Sequence, residues 1–318
     1  MSVFENVINE ANKKNEVKDV TPESVEVADE GEGKKSFPER MAEKKNQCYA
    51  MIDDACLNAV SSIESLRQFL NVQSRFDKYS LNNALLIFEQ KPDAIKLKEL
   101  AAWNKEDISV KKGAKSIMIL EPSPYKGNDG KMHRGYNAKH VFDIADVEAP
   151  EDALPQPKSY EQKQLVAALV HDAPVPVCKA EKSLGEHNAI YDAKNKVVYF
   201  KAGLEFDTIF PAIAKALAHA EMAKDVENYR IGEHEFAARC SAYVISQRYG
   251  VDTRTVDVYG IPQNIETMEA EDVKKVLSDV HSNVKSITAR MNESLEQTHD
   301  KEQTQQSPSK GSKNREER

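Results

Sequence analysis

At 318 residues, 40% hydrophobic and 30% charged, with a mean hydropathy of −0.63, the chain can build two cores yet is polar enough to predict unstructured segments beside them. No run of about 18 apolar residues and no charged-then-apolar leader occurs, which argues against membrane insertion and secretion and predicts a cytoplasmic protein. The net charge of −8 hides a basic stretch: 13 Lys/Arg against 8 Asp/Glu from Arg75 to Lys139, then 17 against 25 from Glu148 to Asp300. Since binding to polyanions follows local potential, that stretch points to a negatively charged partner.

Residues 1–36 hold 9 acids and 5 bases with almost no aromatics, and read as a disordered acidic tail. A first domain, 37–147, opens on a helix from about Pro38 to Leu70, with apolar positions Met51, Ile52, Ala55, Leu57, Val60, Ile63, Leu66, Phe69 and Leu70. A second helix, about Ser80–Gln90, is stopped by Pro92. Strands follow at Ser116–Leu120 and Lys139–Ile144, joined by a connection rich in turn residues: Pro122-Ser123-Pro124, then Gly127-Asn128-Asp129-Gly130.

Pro150, Pro155 and Pro157 mark 148–158 as a linker. The second domain, 159–292, is read as a helix near Glu161–His171, strands at Val175–Cys178, Ala189–Tyr191 and Lys196–Phe200, then three helices. The first of these carries Ile209, Ile213, Ala216, Leu217 and Ala220; the others are Glu233–Tyr249 and Glu271–Met291. Residues 293–318 read as a second disordered tail. The predicted fold class is α+β in two domains. The four cysteines have no metal-site spacing and read as free thiols in a reducing compartment.

Within the basic stretch, the polar residue types are those that hold a nucleic-acid strand. Arg75 and Lys78 precede Tyr79-Ser80-Leu81-Asn82-Asn83, where Ser80 suits an N-cap and the open amides of a first helical turn favour a phosphate. Trp103, the only Trp, is followed by Lys105 and by Val110-Lys111-Lys112-Gly113-Ala114-Lys115. An exposed aromatic stacks a base for about 1–3 kcal/mol whatever its identity, while Lys and Arg neutralise phosphates. Each feature has a plainer counterpart. A lone Trp is more often core than platform, Asn82 and Asn83 can simply line a helix, and Lys-Lys-Gly is a common exposed turn.

The second domain carries an incomplete metal motif. A zinc-peptidase helix bears His-Glu-x-x-His, whose two histidines lie about 40° apart around the axis and share one ion while the Glu polarises its water. Here the run is His219-Ala220-Glu221-Met222-Ala223, so the base and the second ligand are both alanine. Glu221, about 200° round the helix from His219, cannot replace them. A lone His on the inner side of such a helix is more often a hydrogen-bonded core residue than a ligand.

These residues resemble a known family. Tyr79–Leu86, Trp103, Val110–Gly113, the strand Ile117–Leu120 ending at Pro122, and Phe142-Asp143-Ile144 look like the N-terminal single-stranded-DNA-binding domain of the ArdC-type antirestriction family. Tyr191-Asp192, Val198–Phe200, the His219 helix, Ser241–Val244 and Tyr249–Thr253 resemble the zincin-like metallopeptidase domain that follows it there, so the likeness spans about residues 40–292. The resemblance implies a third metal ligand, a Glu, at the position of Arg239, whose guanidinium would repel a cation. Glu235 stands one turn earlier, where it can pair with Arg239. Asp107 stands where the family often has Gly, which implies a changed loop.

The resemblance therefore implies a mobile-element protein that coats incoming single-stranded DNA against restriction during conjugation. Arg75, Lys78, Lys111, Lys112 and Lys115 would hold phosphates, Tyr79 and Trp103 would stack, and Ser80, Asn82 and Asn83 would line the site. The second domain would be a pseudo-metallopeptidase without zinc (vestigial positions His219, Ala220, Ala223 and Arg239) and not an enzyme. Its acidic surface would be open to a conjugation or restriction protein. Two other readings stand beside this one. One is an active metallopeptidase built on His219, Glu235 and His187 or His234; the other is an interaction module that no longer grips DNA.

Overall fold

In the computed structural model, which describes residues 36–306 other than Asn128, Pro157, Lys158, Asp225, Asp257 and Tyr259, the amphipathic stretch after Pro38 is two helices. Of the tails read at 1–36 and 293–318, residues 1–35 and 307–318 lie outside the described residues. The break falls at Val60-Ser61-Ser62, because hydroxyls there offer the backbone local alternatives to helix. Helix α1 spans Phe37–Ala59 and α2 spans Ile63–Arg75, with Ser62 as N-cap accepting from the Ser65 amide at 3.1 Å. Helix α3, Leu81–Gln90, is capped by Ser80 and ends before Pro92.

Strand β1 (Leu97–Lys98), the short helix α4 (Leu100–Asn104), β2 (Ile117–Pro122) and β5 (Tyr136–Asp143) follow, with β3 (Tyr125–Lys126) and β4 (Met132–His133) between the last two. The sheet order is β1-β5-β2, antiparallel throughout, and β2 is an edge. An edge strand leaves alternate backbone groups unpaired. Helix α3 supplies what is missing. Asn83 donates from Nδ2 to the Leu120 carbonyl at 2.9 Å and accepts from its amide at 2.8 Å. Gln90 does the same for Met118, both bonds at 2.8 Å. Two carboxamides seven residues apart on one helix face thus stand in for a missing strand.

The second sheet contains β6 (Val177–Lys179), β7 (Ala189–Asp192) and β8 (Val197–Phe200) in the order β6-β8-β7, with β6 parallel and β7 antiparallel to β8. Helix α5 (Gln162–Val170) precedes it; α6 (Phe206–Met222), α7 (Ile231–Arg248), α8 (Gln263–Glu266) and α9 (Ala270–Gln306) follow. Pro211 inside α6 removes the amide that would serve the Asp207 carbonyl, and the Thr255 hydroxyl donates to that carbonyl at 2.7 Å instead. Helix α9 runs past the predicted end at Met291, because Leu295 continues the buried stripe of Leu277, Val280, Val284, Ile287 and Met291. The described part of the tail predicted at 293–318 is therefore helix. The 148–158 segment holds a 3-10 turn, Glu151–Ala153, whose last carbonyl accepts from Lys96 Nζ at 3.1 Å.

One hydrophobic cluster runs from Ile52, Phe69 and Leu85 through Ile119 to Val198, Leu217, Val244 and Leu277, and the chain from Pro38 onward is one compact unit. Arg248, at the end of α7, ties its parts together. It donates from Nε to the Ser74 carbonyl at 3.1 Å, from Nη2 to Gln73 at 2.8 Å and from Nη1 to Thr288 Oγ1 of α9 at 3.0 Å. The two carbonyls belong to the last turn of α2, which has no intrahelical donors left for them. The architecture is α+β, and no helix among the described residues is long and apolar enough to cross a membrane. All four cysteines are free, three of them buried.

Arg248→Met keeps the aliphatic stem but strands two carbonyls, and should cost about 2–4 kcal/mol in a urea titration; a change under about 0.5 kcal/mol would disprove the clamp. Asn83→Leu should cost about 2–3 kcal/mol by the same measure, since the Leu120 amide and carbonyl both lose their partner. An unchanged unfolding midpoint would show that the edge is satisfied some other way.

Candidate functional site

The edge-bonding of α3 to β2 leaves a cleft of about 520 Å³ between the start of the helix and the sheet. Lys78, Tyr79, Ser80 and Asn83 line it from the α3 side, Lys98 and Glu99 from the β1 side, and Glu121, Tyr136 and Lys139 from the two long strands. Four of the residues predicted from the sequence are thus brought together. Lys98, Tyr136 and Lys139 were missed. Their signal was strand alternation, legible only once the register of β5 is known.

The cleft's charges are partly self-paired. Lys139 Nζ bonds Glu121 at 2.6 Å and Glu99 at 2.5 Å, and these hydrogen bonds raise its pKa. Lys98 pairs with Glu106 outside the cleft. Lys78 is exposed at the mouth. Tyr79 is half-buried, packs edge-on against Phe76 at 5.5 Å, and burial raises the pKa of its phenol, so the hydroxyl remains a donor. Ser80 Oγ accepts the cap bond from the Asn83 amide at 3.3 Å, which leaves its own proton for a ligand. Asn82 is half-buried in the first turn of α3.

Two predicted contacts are corrected. Trp103 is fully buried in a small core with Ile108, Ile144 and Val147, donates from Nε1 to the Phe142 carbonyl at 3.1 Å, and has Lys98 Nζ 4.7 Å from its ring centroid. A five-residue helix has little else to bury, so the indole is spent as its anchor and cannot stack a base. Asn83 is buried and holds Leu120 through both ends of its carboxamide, so it serves the sheet edge first, not a ligand.

The remaining cations lie apart from the cleft lining. Arg75 is exposed but donates to the main-chain carbonyls of Ala94 (2.9 Å) and Pro92. Lys111, Lys112 and Lys115 are exposed on the loop before β2, where Lys111 Nζ bonds the Ala145 carbonyl at 2.9 Å. In the same segment Asp107 takes φ +59°, a left-handed conformation that glycine adopts freely and Asp tolerates. Asp143, buried at the end of β5, accepts from the amides of Ile95 (2.8 Å) and Lys96 (2.9 Å), and so fixes the segment leading into β1.

His219 sits on the inner face of α6 with 2% of its surface exposed. Tyr229 Oη lies 2.7 Å from its Nδ1, and Glu235 Oε2 of α7 lies 3.0 Å from its Nε2. The ionised Glu235 carboxylate can only accept, so Nε2–H donates to it, and the Tyr229 hydroxyl engages Nδ1. The other Glu235 oxygen takes Lys215 at 2.9 Å, with Arg239 Nε at 3.9 Å. Lys215 and Tyr229 carried no sequence signal of their own, although Lys215 lies one turn before His219. Glu221 turns the other way and pairs with Arg290 of α9 at 2.5 Å.

A divalent cation does not fit here. Both ring nitrogens of His219 are engaged, Ala220 and Ala223 offer no donor, and Lys215 and Arg239 flank Glu235. Among the described residues no group of three or more His, Cys, Asp or Glu is placed to hold a metal. His187 lines a neighbouring cavity of about 400 Å³ with Lys215, Glu235 and Arg239, while His234 stacks on Tyr229 at 4.8 Å. Of the alternative ligand set, the structure thus joins only His219 and Glu235, by a hydrogen bond.

Burial by itself would raise the Glu235 pKa, but the hydrogen bonds from His219 and Lys215 outweigh it and hold the carboxyl at about 2, below the ordinary 4.5 of a free Glu. A carboxyl depressed in the folded state contributes stability above its unfolded pKa and loses it as pH falls toward the folded one. With about a third of the side chain exposed, solvent screening leaves about 1–2 kcal/mol of the roughly 3 kcal/mol of full linkage. Between about pH 5 and pH 2.5 the parent chain should therefore lose about 1–2 kcal/mol more than Glu235→Gln. Parallel stability–pH curves would refute the coupling.

No family model and no curated protein matches the sequence. Among solved structures, the manganese(II)-bound crystal structure of the antirestriction ArdC protein from plasmid R388 aligns with a TM-score of 0.50 at 10% identity, covering 79% of this chain and 97% of that one. The metal-free structure of the same protein aligns with a TM-score of 0.45 at 10% identity, over 68% and 85% of the two chains. From the antirestriction protein's metal-bound form to this chain, what carries over at such identity is architecture: the chain has the fold of the ArdC antirestriction protein.

Proposed function

We propose that this chain binds single-stranded DNA in the cleft between α3 and the first sheet, and that it acts in the cytoplasm as an antirestriction-like protector of DNA carried in by a mobile element. The observation that carries the reading is the gathering of Lys78, Tyr79, Ser80, Lys98, Tyr136 and Lys139 around one cleft of about 520 Å³. These are the residue types a single strand needs: cations for phosphate, hydroxyls for sugar and phosphate oxygens, and phenol rings for bases. Arg75, Lys111, Lys112 and Lys115 extend the positive field beyond the cleft and hold neighbouring phosphates. Antirestriction is what the structural neighbour is named for, and the shared fold lends the reading support.

The His219 pocket enters this proposal as scaffold. Its helix pair carries the rest of the fold, its cations oppose a metal, and no peptidase step is assigned to it. The acidic second half is the surface on which a conjugation or restriction protein would dock.

Binding to an oligothymidylate should weaken steeply with salt, by about 0.7 in log–log slope per phosphate held. The pair Lys78→Glu and Lys112→Glu should weaken it at least about tenfold at low salt and make the slope shallower. No binding by the parent chain at low salt would remove the reading. Stoichiometric manganese or zinc that is lost in His219→Ala would instead favour a peptidase.

A further inference from the structure

The connection between β2 and β5 is more than a turn. After the last sheet pair, Pro122 with Tyr136, the two strands continue as a separate ribbon. Ser123 donates to the Gly135 carbonyl at 2.8 Å, Tyr125 pairs with His133, Lys126 pairs with Met132, and Gly127 donates to Lys131 at 2.8 Å. With about 3.3 Å per residue, five residues a side carry its tip about 15 Å beyond the sheet. The close crossing at its root requires glycine: a Cβ on Gly135 would stand 2.6 Å from the Ser123 carbonyl oxygen.

A two-stranded ribbon is marginal in water unless something covers a face of it. Here all four strand residues are exposed, including Tyr125 at 57% and Met132 at 67%, and Tyr136 at the root is 39% exposed. Around them stand Lys126, Lys131 and Arg134, all exposed. The one acid, Asp129, bonds His133 at 2.9 Å and the Lys131 amide at 3.0 Å, while His133 stacks on Tyr125 at 5.5 Å. By strand alternation, one face carries the Tyr125–His133 pair with Lys131, and the other carries Met132 with Lys126 and Arg134. Each face joins an apolar or aromatic surface to a cation. Tyr136 belongs both to the ribbon's root and to the cleft lining, so the two surfaces meet.

We infer that this ribbon is a second subsite for single-stranded DNA, one that stacks unpaired bases on Tyr125 and Met132 and holds the flanking phosphates through Lys126, Lys131 and Arg134. The inference rests on the proposed function and adds an arm that lengthens the footprint beyond the cleft. Charge complementarity selects a polyanion; the exposed rings select unpaired bases, since paired bases show no face to stack.

The test compares a short oligothymidylate of about 5 nucleotides, which the cleft alone accommodates, with one of about 15. Tyr125→Ala should weaken binding of the longer strand about tenfold and leave the shorter one within about twofold. The triple change Lys126→Gln, Lys131→Gln and Arg134→Gln should reduce the salt slope for the longer strand by about 2, at about 0.7 per contact. All four side chains are exposed, so the variants should keep the parent's thermal midpoint. Unchanged affinity and slope in both variants, with the parent binding well, would overturn the arm and spare the cleft. Equal competition by a duplex of the same length would overturn the stacking role. A parent chain that binds neither strand would overturn the proposed function and the arm with it.

Discussion

The guanidinium of Arg248 is the contact on which the rest of the structure leans. It satisfies two carbonyls at the end of α2, Gln73 and Ser74, while bonding Thr288 of α9. That end of α2 leads within a few residues to Lys78, Tyr79 and the cap of α3. The position of the cleft is thus set from the helical body in the second half of the chain. Tyr243, which donates to Asn71 Oδ1 at 3.2 Å, adds a second tie between the same two helices. A planar fork with five donors suits this task, since it reaches two adjacent carbonyls and a hydroxyl without strain.

The His219 pocket is built around a carboxylate, Glu235, held by cations and an imidazole. Where a metal would need converging lone pairs, this chain brings together Lys215, Arg239 and an N–H of His219, all directed at Glu235. The carboxylate is the centre of the site and the cations surround it. That arrangement is self-consistent. A carboxylate beside three donors stays ionised, and an imidazole held between a phenol and a carboxylate has no lone pair left over. The pocket therefore holds together as a structural element, linking α6 to α7 through Glu235.

Under the proposed function, the cleft and the ribbon would divide the work of holding a strand between shape and charge. In the cleft, Lys139 is already paired with Glu99 and Glu121, so its field is short-ranged and what the walls offer is mostly shape, hydroxyls and Tyr79. The ribbon is open on both faces and carries three lysine or arginine side chains against a single Asp, so what it would offer a strand is charge and stacking area. The α3–β2 amide bonding underlies both, because it holds still the strand from which the ribbon grows.

Helix placement was legible from the chain alone, since apolar spacing and the stop at Pro92 depend only on local geometry. So were the cap at Ser80 and the pairing of Glu235 with Arg239. Each follows from residue types at fixed helical offsets. The break at Ser61-Ser62 and the continuation of α9 past Met291 were misplaced, because a hydroxyl pair and a single Leu295 weigh little in a sequence window. What only tertiary structure decided were the partners. The burial of Trp103, the use of Asn83 as a surrogate strand, the reach of Arg248 to α2 and the meeting of Tyr136 with Lys78 all depend on which distant backbone lies opposite. Nothing in the order of residues states that distance; it is set when β2, β5 and α3 close on one another and exclude water between them.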